Sequence, residues 1–561
     1  MKFIFQIFIL SILLFTACDQ APSVALQRGD LVFKNGNVIT VDDEFRIATT
    51  IVVRGNTIVY VGDDFEVSYE GANIIDLKGK TLMPGLIEPH THPAASAGLY
   101  QWVDVSGITH KTAEDALDEL RAAAAKTPDG KWILGFGWDA MLLEGAFPPY
   151  REVLDEISQK HPIWVMMQSM HSHYFNSYAL EVAGIEDDVK NPPGGGYYEK
   201  DENGKLTGLI TENAALAPIL GVMDGLPDGV EQAMLSSVYQ KYNGHGITSI
   251  GVLGLIDAMM PKAESTMQKM SLNDPSLRVF MYRVGGLDYS ARPSFADNPY
   301  YRYQGTKYWS DGSPYTGSML LSEPYAESEL SIDKLSIDKG SFGHVMMPLG
   351  VFDNLVTKDA AAGNQIAIHA QGDSACVNTL NVLESALSKH PKNDHRYRME
   401  HLALLKKDHI DRMVELGIYP SFHVNHVYYY GDFLARIVGE DRANSFMPIK
   451  DAVDAGLKVS LHNDSPMYPP DPLLAVQTAV TRKTLNGRPL GIAQAIDIKD
   501  ALRAVTINAA WQLFAEERIG SLEVGKQADL IVLASDPLTV DPDQISEIEV
   551  EQVFIAGRKV K

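Results

Sequence analysis

Apolar and polar positions follow two different rhythms along this chain. From Asp30 to Thr81 the runs are short and alternate: Leu31-Val32-Phe33, Asn37 to Thr40, Thr50 to Val53, Thr57 to Val61 and Ile74 to Asp76. Such runs, divided by Gly-Asn or Gly-Asp turns, predict antiparallel β-strands. The far end behaves alike, with Gly525 to Leu533 followed by Val550 to Val560 around an Ala556-Gly557-Arg558 turn. Neither terminal stretch can cover both of its faces alone. The pattern therefore predicts one small β-sandwich assembled from residues 29–81 and 515–561.

Between these pieces, short apolar runs alternate with longer helical patterns, the rhythm of parallel βαβ units. Eight strands are predicted, at 86–92, 246–252, 278–284, 306–311, 366–369, 398–401, 418–423 and 459–464. Eight is the number that closes a barrel, so the fold class is α/β with a TIM-like (β/α)8 barrel over residues 82–514. The stretch after the first strand is too long for one crossover. It holds elements of its own at 132–138 and 162–168 and a Gly194-Gly195-Gly196 turn, which predicts an insertion over the barrel mouth at about 94–235.

A chain of 561 residues can bury a large core and carry elaborations on it. A net charge of -24 argues against nucleic acid as a partner, because phosphate backbones are bound by Lys/Arg stripes. A small-molecule substrate is the expected partner. The apolar run from Phe3 to Phe15 follows Lys2 and suits a signal peptide over residues 1–18, with a linker at 19–28. Phe15-Thr16-Ala17-Cys18 resembles the lipobox of bacterial lipoproteins, although Leu usually stands where this chain has Phe15. Lipid on Cys18 would hold an exported protein at a membrane; simple cleavage would leave it soluble in the periplasm. Cys376 would then be the one remaining thiol, expected to be buried and inert.

Candidate chemistry begins at the end of the first predicted strand, in Glu88-Pro89-His90-Thr91-His92. Residues two apart on an extended chain point the same way, so both imidazoles can reach one ion. Imidazole nitrogen suits zinc and related metals. A lone His-x-His could equally make ordinary hydrogen bonds. His369, His401 and Asp464 weigh against that, since each closes a later predicted strand and such ends converge on the active face of a barrel.

These words, together with Gly135-Phe136-Gly137-Trp138-Asp139, Lys307-Tyr308-Trp309-Ser310-Asp311-Gly312, His369-Ala370-Gln371-Gly372-Asp373, Met399-Glu400-His401, Asp464-Ser465-Pro466 and Gly525-Lys526-Gln527-Ala528-Asp529-Leu530, resemble the amidohydrolase superfamily. Within it they resemble the amidohydrolase 3 or YtcJ-like group, which includes N-substituted formamide deformylase. The resemblance implies one or two divalent ions, zinc for preference, held by His90, His92, His369, His401 and Asp464. It places Lys307 where relatives carry a carboxylated lysine bridging two ions; an ordinary ammonium is the alternative. It also implies hydrolysis of a non-peptide carbon–nitrogen bond, in an amide or N-acyl amine, by metal-activated hydroxide, with Asp464 as general base and then acid. The alternative for Asp464 is a ligand or helix cap only.

Several further residues are candidates for substrate contact: His171 in the insertion, His426 beyond the seventh strand, Trp138, and Asp311, which could instead orient Lys307 or cap its loop. His173 and His423 stand beside two of these, and His462 is expected to pack beside the eighth strand. Glu88-Pro89 replaces the Asp-Ser or Asp-Ala of relatives, and Asn463 replaces a Ser or Thr, so substrate specificity cannot be borrowed from them. The same ligands would serve a cyclic amide, an ester or a carbamate. A ligand-binding lipoprotein without turnover would not need the complete ligand set. The resemblance also allows a homo-oligomer.

Overall fold

Eight strands hydrogen-bond in chain order into one parallel sheet: Leu86–Thr91, Ile247–Leu253, Arg278–Val284, Tyr301–Trp309, Gln365–Ala370, Arg398–His401, Tyr419–Phe422 and Ser460–Leu461. They are called barrel strands one to eight below. The computed structural model describes residues 25–63, 71–192, 196–223, 229–254, 260–287 and 298–561. Residues 1–24, with Cys18 and the signal-peptide reading, and Gly194-Gly195 lie outside the described residues. Among those described, no helix is long and apolar enough to cross a membrane.

Strand four starts at Tyr301 rather than 306, and strand eight has only two residues in ladder register. The sheet closes differently from the way it is built. Neighbours one to eight share backbone ladders, whereas the seam between strands eight and one is bridged by a side chain. The Glu88 carboxylate accepts from the Asn463 backbone N–H at 3.1 Å and from its side-chain amide at 2.6 Å. Beside it, the His92 N–H donates to the Ser465 carbonyl at 2.9 Å. These contacts fix the chain between Asn463 and Ser465 against the first strand.

The helices face the sheet with an apolar stripe. In Asp373–Lys389, Ala375, Cys376, Thr379, Leu380, Leu383 and Ala386 are buried, three to four residues apart, against the barrel wall. Cys376 is a packing residue of this helix.

The terminal segments form two sheets. One has the order Thr57–Gly62, Thr50–Arg54, Leu31–Lys34, Asn73–Asp76; the other runs Arg558–Lys559, Val550–Ile555, Leu530–Leu533, Thr81–Pro84, Asn37–Ile39, Ile47–Ala48. The second sheet thus interleaves the two ends of the chain. Phe33, Val38, Ile51, Val53, Ile58, Leu82, Leu530, Val532 and Phe554 fill the space they enclose. Two pairings correct the antiparallel expectation: Leu31–Lys34 with Asn73–Asp76, and Asn37–Ile39 with Thr81–Pro84, both run parallel. Their partners are not consecutive in the chain, so longer connections replace the tight hairpin that enforces antiparallel pairing.

Between strands one and two, a six-stranded sheet has the order Tyr197–Lys200, Leu206–Thr211, Ser172–Phe175, Ile163–Met167, Ile133–Trp138, Val103–Asp104. It is tied to the barrel mouth. The Tyr430 hydroxyl donates to Asp139 at 2.7 Å, and the Gln168 amide donates to the Met467 carbonyl, three residues beyond Asp464.

Candidate metal centre

His90 and His92 leave strand one on the same side, as alternation requires. The Asp464 carboxylate lies between the ends of strands one and eight, with Oδ1 3.0 Å from His92 Nε2 and 3.6 Å from His90 Nε2. His401 arrives by a different route. Arg398 and Glu400 share one face of strand six, so strict alternation would turn His401 away from them. At His401 and Leu402, however, φ is +73° and +60°, and at Asp464 it is +58°. The chain leaves the pleat there, and the His401 ring meets those of His90 at 4.7 Å and His369 at 4.2 Å. Left-handed backbone at non-glycine residues is costly and persists where surrounding structure enforces it, commonly at functional sites.

The donor atoms of three groups each lie within 4.8 Å of one another: His90, His92 and Asp464; His90, His401 and His462; His401, His423 and Asp464. His462 Nε2 and His423 Nδ1 both stand 3.4 Å from His401 Nδ1. The outer nitrogens of the same rings are anchored: His462 Nδ1 pairs with the Ser421 hydroxyl at 2.9 Å, and His423 Nε2 with the Asn463 carbonyl at 3.0 Å. His369 Nε2 lies 3.2 Å from the Gly312 carbonyl.

Burial dominates the electrostatics. It holds His90, His369, His401 and His462 well below the ordinary imidazole range, and His423 at about 4, so these rings are neutral at physiological pH. Burial alone would raise the Asp464 carboxyl; contact with His92 and the nearby His423 and His462 brings it far below the usual carboxylate range. Neutral imidazoles around one ionised carboxylate are what a divalent first-row ion requires. The Asp464 Oδ1 and His92 Nδ1 atoms are also buried without a hydrogen bond. The residues present therefore fit such an ion.

Behind the ligands stands a buried ion pair that the sequence reading missed. His90 Nδ1 lies 2.8 Å from Glu400 Oε2, and the Arg398 guanidinium holds both Glu400 oxygens at 2.9 and 3.1 Å. A carboxylate on the far nitrogen fixes the tautomer and aim of a ligating imidazole. The signal was present as an Arg-x-Glu with strand spacing immediately before His401. Lys307, on strand four, is fully buried with Nζ 3.4 Å from His90 Nε2. Burial lowers its amine to about 8, against the pull of Glu400 and Asp464.

Asp311 has a different job from orienting Lys307. Its oxygens accept three backbone N–H groups, of Gln371, Gly372 and Leu320, each at 2.9 Å, which clasps the loops after strands four and five. Burial pushes its carboxyl up to about 7 despite those donors. Trp138 is buried, with its indole donating to the Phe147 carbonyl at 3.1 Å. His426 is buried between the Tyr315 and Tyr468 hydroxyls, at 2.8 and 2.7 Å from Nδ1. Asp311 and the Trp138 indole are thus bonded within the fold, whereas His426 Nε2 is buried without a hydrogen-bond partner. His171 does reach the mouth, 22% exposed, with Nδ1 2.9 Å from Glu212 Oε2. His173 packs against Trp164. His462, expected only to pack, stands inside the cluster. The two departures in sequence, Glu88 and Asn463, bond to each other across the barrel seam, so a longer acid is matched by a longer amide.

Residues 73–561 match the amidohydrolase family. N-substituted formamide deformylase of Arthrobacter pascens is 27% identical over 95% of this chain and 98% of its own length. YtcJ of Bacillus subtilis is 25% identical over 87% of this chain and 90% of its own. A solved structure, an uncharacterized metal-dependent hydrolase from Pyrococcus horikoshii OT3, superposes with a TM-score of 0.69 at 25% identity, covering 92% of this chain and 99% of that one. With its buried histidines and Asp464 gathered at the ends of an eight-stranded parallel sheet, this chain belongs to the amidohydrolase family.

Proposed function

We propose that the protein hydrolyses the carbon–nitrogen bond of an N-acyl or N-formyl amine. The observation that carries this reading is the His90, His92 and Asp464 cluster, braced by the Arg398–Glu400 pair. The similarity to a formamide deformylase along nearly the whole chain supports the choice of bond.

His90, His92, His369, His401 and Asp464 would hold the metal, with zinc the ion best suited to this imidazole-rich set. A divalent ion bound here supplies a water acidic enough to ionise near neutrality and an electrophile for the carbonyl oxygen. Asp464 is ionised, and its Oδ1 stands among the cluster's imidazoles, 3.0 Å from His92 Nε2. It accepts the proton of the attacking water and returns it to the amine nitrogen as the C–N bond breaks, releasing acid and amine. Glu400 keeps His90 in one tautomer throughout. Lys307, with its lowered amine beside His90, is suited to reaction with carbon dioxide, and the carbamate so formed could bridge a second ion.

The apolar leader and Phe15-Thr16-Ala17-Cys18 support export and a lipid anchor on Cys18. The reaction is tested by incubating the metal-loaded protein with N-formyl and N-acyl amines, cyclic amides, esters and carbamates and measuring released amine, alcohol or acid. Release of amine from the open-chain amides, reduced about 10²–10⁴-fold in Asp464→Asn, is expected. Turnover confined to esters or cyclic amides would overturn the choice of bond.

A further inference from the structure

The insertion brings a second acid–imidazole pair to the barrel mouth. His171 and Glu212 lie just beyond the paired ends of Ser172–Phe175 and Leu206–Thr211, where Ser172 sits opposite Thr211. They are joined twice: the Glu212 N–H donates to the His171 carbonyl at 2.8 Å, and His171 Nδ1 donates to Glu212 Oε2 at 2.9 Å. The backbone around them is strained, with φ of +60° at Met170 and +61° at Glu212, neither a glycine. Two adjacent strand ends forced into the left-handed region mark a pair whose position is over-determined.

The carboxylate is nearly closed off, and the imidazole is not. Glu212 is 4% exposed and its Oε1 is buried without a hydrogen bond. Among the described residues, His171 Nε2 has no hydrogen-bond partner and is not closed off, the ring being 22% exposed. With Nδ1–H bonded to Glu212, Nε2 is the ring atom left to face a ligand, as a donor when the ring is protonated. The site floor is near. Glu212 approaches Gly312, whose carbonyl contacts His369 Nε2, and the His171 charge is felt at His369. Burial disfavours the imidazolium, but Glu212, with Asp464 and Asp311 more distant, outweighs it and raises His171 above the ordinary imidazole range. His369, His173 on the adjoining strand, and His344, which acts on Glu212, are the neighbouring imidazoles; burial holds the first two neutral.

We propose that His171, aimed by its hydrogen bond to Glu212, is a catalytic residue whose Nε2–H, carried when the ring is protonated, donates to the substrate acyl oxygen as negative charge develops there. The assignment rests on the proposed amide hydrolysis. It makes the insertion a supplier of one charged donor opposite the ligands of the barrel, where a preorganised donor to a developing oxyanion is worth about 10²–10³-fold in rate.

The test compares wild type, His171→Gln and Glu212→Gln, all metal-loaded, on the open-chain amide that wild type turns over best. A fall of about 10²-fold in kcat for His171→Gln, with KM within about threefold and metal content unchanged, is expected. In wild type, kcat is lost as pH rises through the His171 pKa, because the imidazolium is the donor. In Glu212→Gln that limb moves to lower pH, since the group that raised the pKa is gone. Methylphosphonate, a tetrahedral anion, supplies a readout without turnover: calorimetry should show it binding at least 10-fold more weakly to His171→Gln. Active wild type with unchanged kcat and pH limb in both variants would overturn the role of the pair and leave the hydrolase reading intact. If wild type turns over no amide, that reading fails, and methylphosphonate binding then decides the pair alone: equal affinity in wild type and His171→Gln overturns it.

Discussion

Two fully buried arginine–carboxylate pairs lie on this barrel, and similar chemistry serves different ends. Arg278, at the start of strand three, grips both oxygens of Asp529 in the C-terminal segment, the longer contact being 2.9 Å, and Asp529 also accepts the Ala556 N–H at 2.7 Å. Every partner of that pair is structural, and it joins the composite sheet to the barrel. Arg398 and Glu400, inside strand six, set an ion pair behind His90, with one hydrogen bond from Arg398 Nη2 to Glu400 Oε2 at 3.1 Å and Oε2 2.8 Å from His90 Nδ1. The difference is the third party: a backbone amide in one case, an imidazole of the candidate metal cluster in the other.

The largest separation of the two should come from breaking the structural pair. Asp529→Asn leaves Arg278 buried without its counter-charge and is expected to cost about 3–5 kcal/mol in chemical denaturation. Metal content of the folded fraction should match wild type; loss of metal there would erase the distinction. Glu400→Gln should do the reverse, lowering metal affinity about 10–100-fold by competition with a chelator. Replacing both members sharpens the contrast. Arg278→Met with Asp529→Leu is expected to recover most of the stability lost in the single variant, whereas Arg398→Met with Glu400→Leu should recover none of the metal affinity. The smallest effect belongs to a control outside both regions. Thr112 caps the insertion helix Ala113–Ala124, with its side chain accepting from Asp115, and Thr112→Ala should cost about 1 kcal/mol without altering metal or turnover.

Much of the centre was legible in sequence because strand ends obey alternation. His90 and His92 could be paired from spacing alone, and each of the eight strands overlaps the apolar run that announced it, although strand four starts at Tyr301 and strand eight keeps only Ser460–Leu461 in register. What escaped depended on departures from regular backbone. His401 and Asp464 meet His462 and His423 from left-handed backbone of their own, which no periodicity announces. Arg398 and Glu400 read as an ordinary polar pair until the strand is placed beside His90. Trp138, Asp311 and His426 were chosen for chemical character; the fold bonds the Trp138 indole and the Asp311 carboxylate to backbone groups and leaves His426 Nε2 buried without a partner, which sequence could not tell apart. The link between Glu88 and Asn463 spans a seam 375 residues apart in the chain, beyond the reach of local pattern.

The central claim is that the histidine cluster holds the ion that makes this barrel a hydrolase. It is tested most directly by stripping the protein with a chelator, adding back zinc in measured equivalents, and following bound metal and amine release together for wild type and His90→Ala. The account predicts that wild type regains metal and turnover in parallel, saturating at one or two equivalents, while His90→Ala regains neither. Turnover that survives stripping, or wild-type metal binding in His90→Ala, would contradict it.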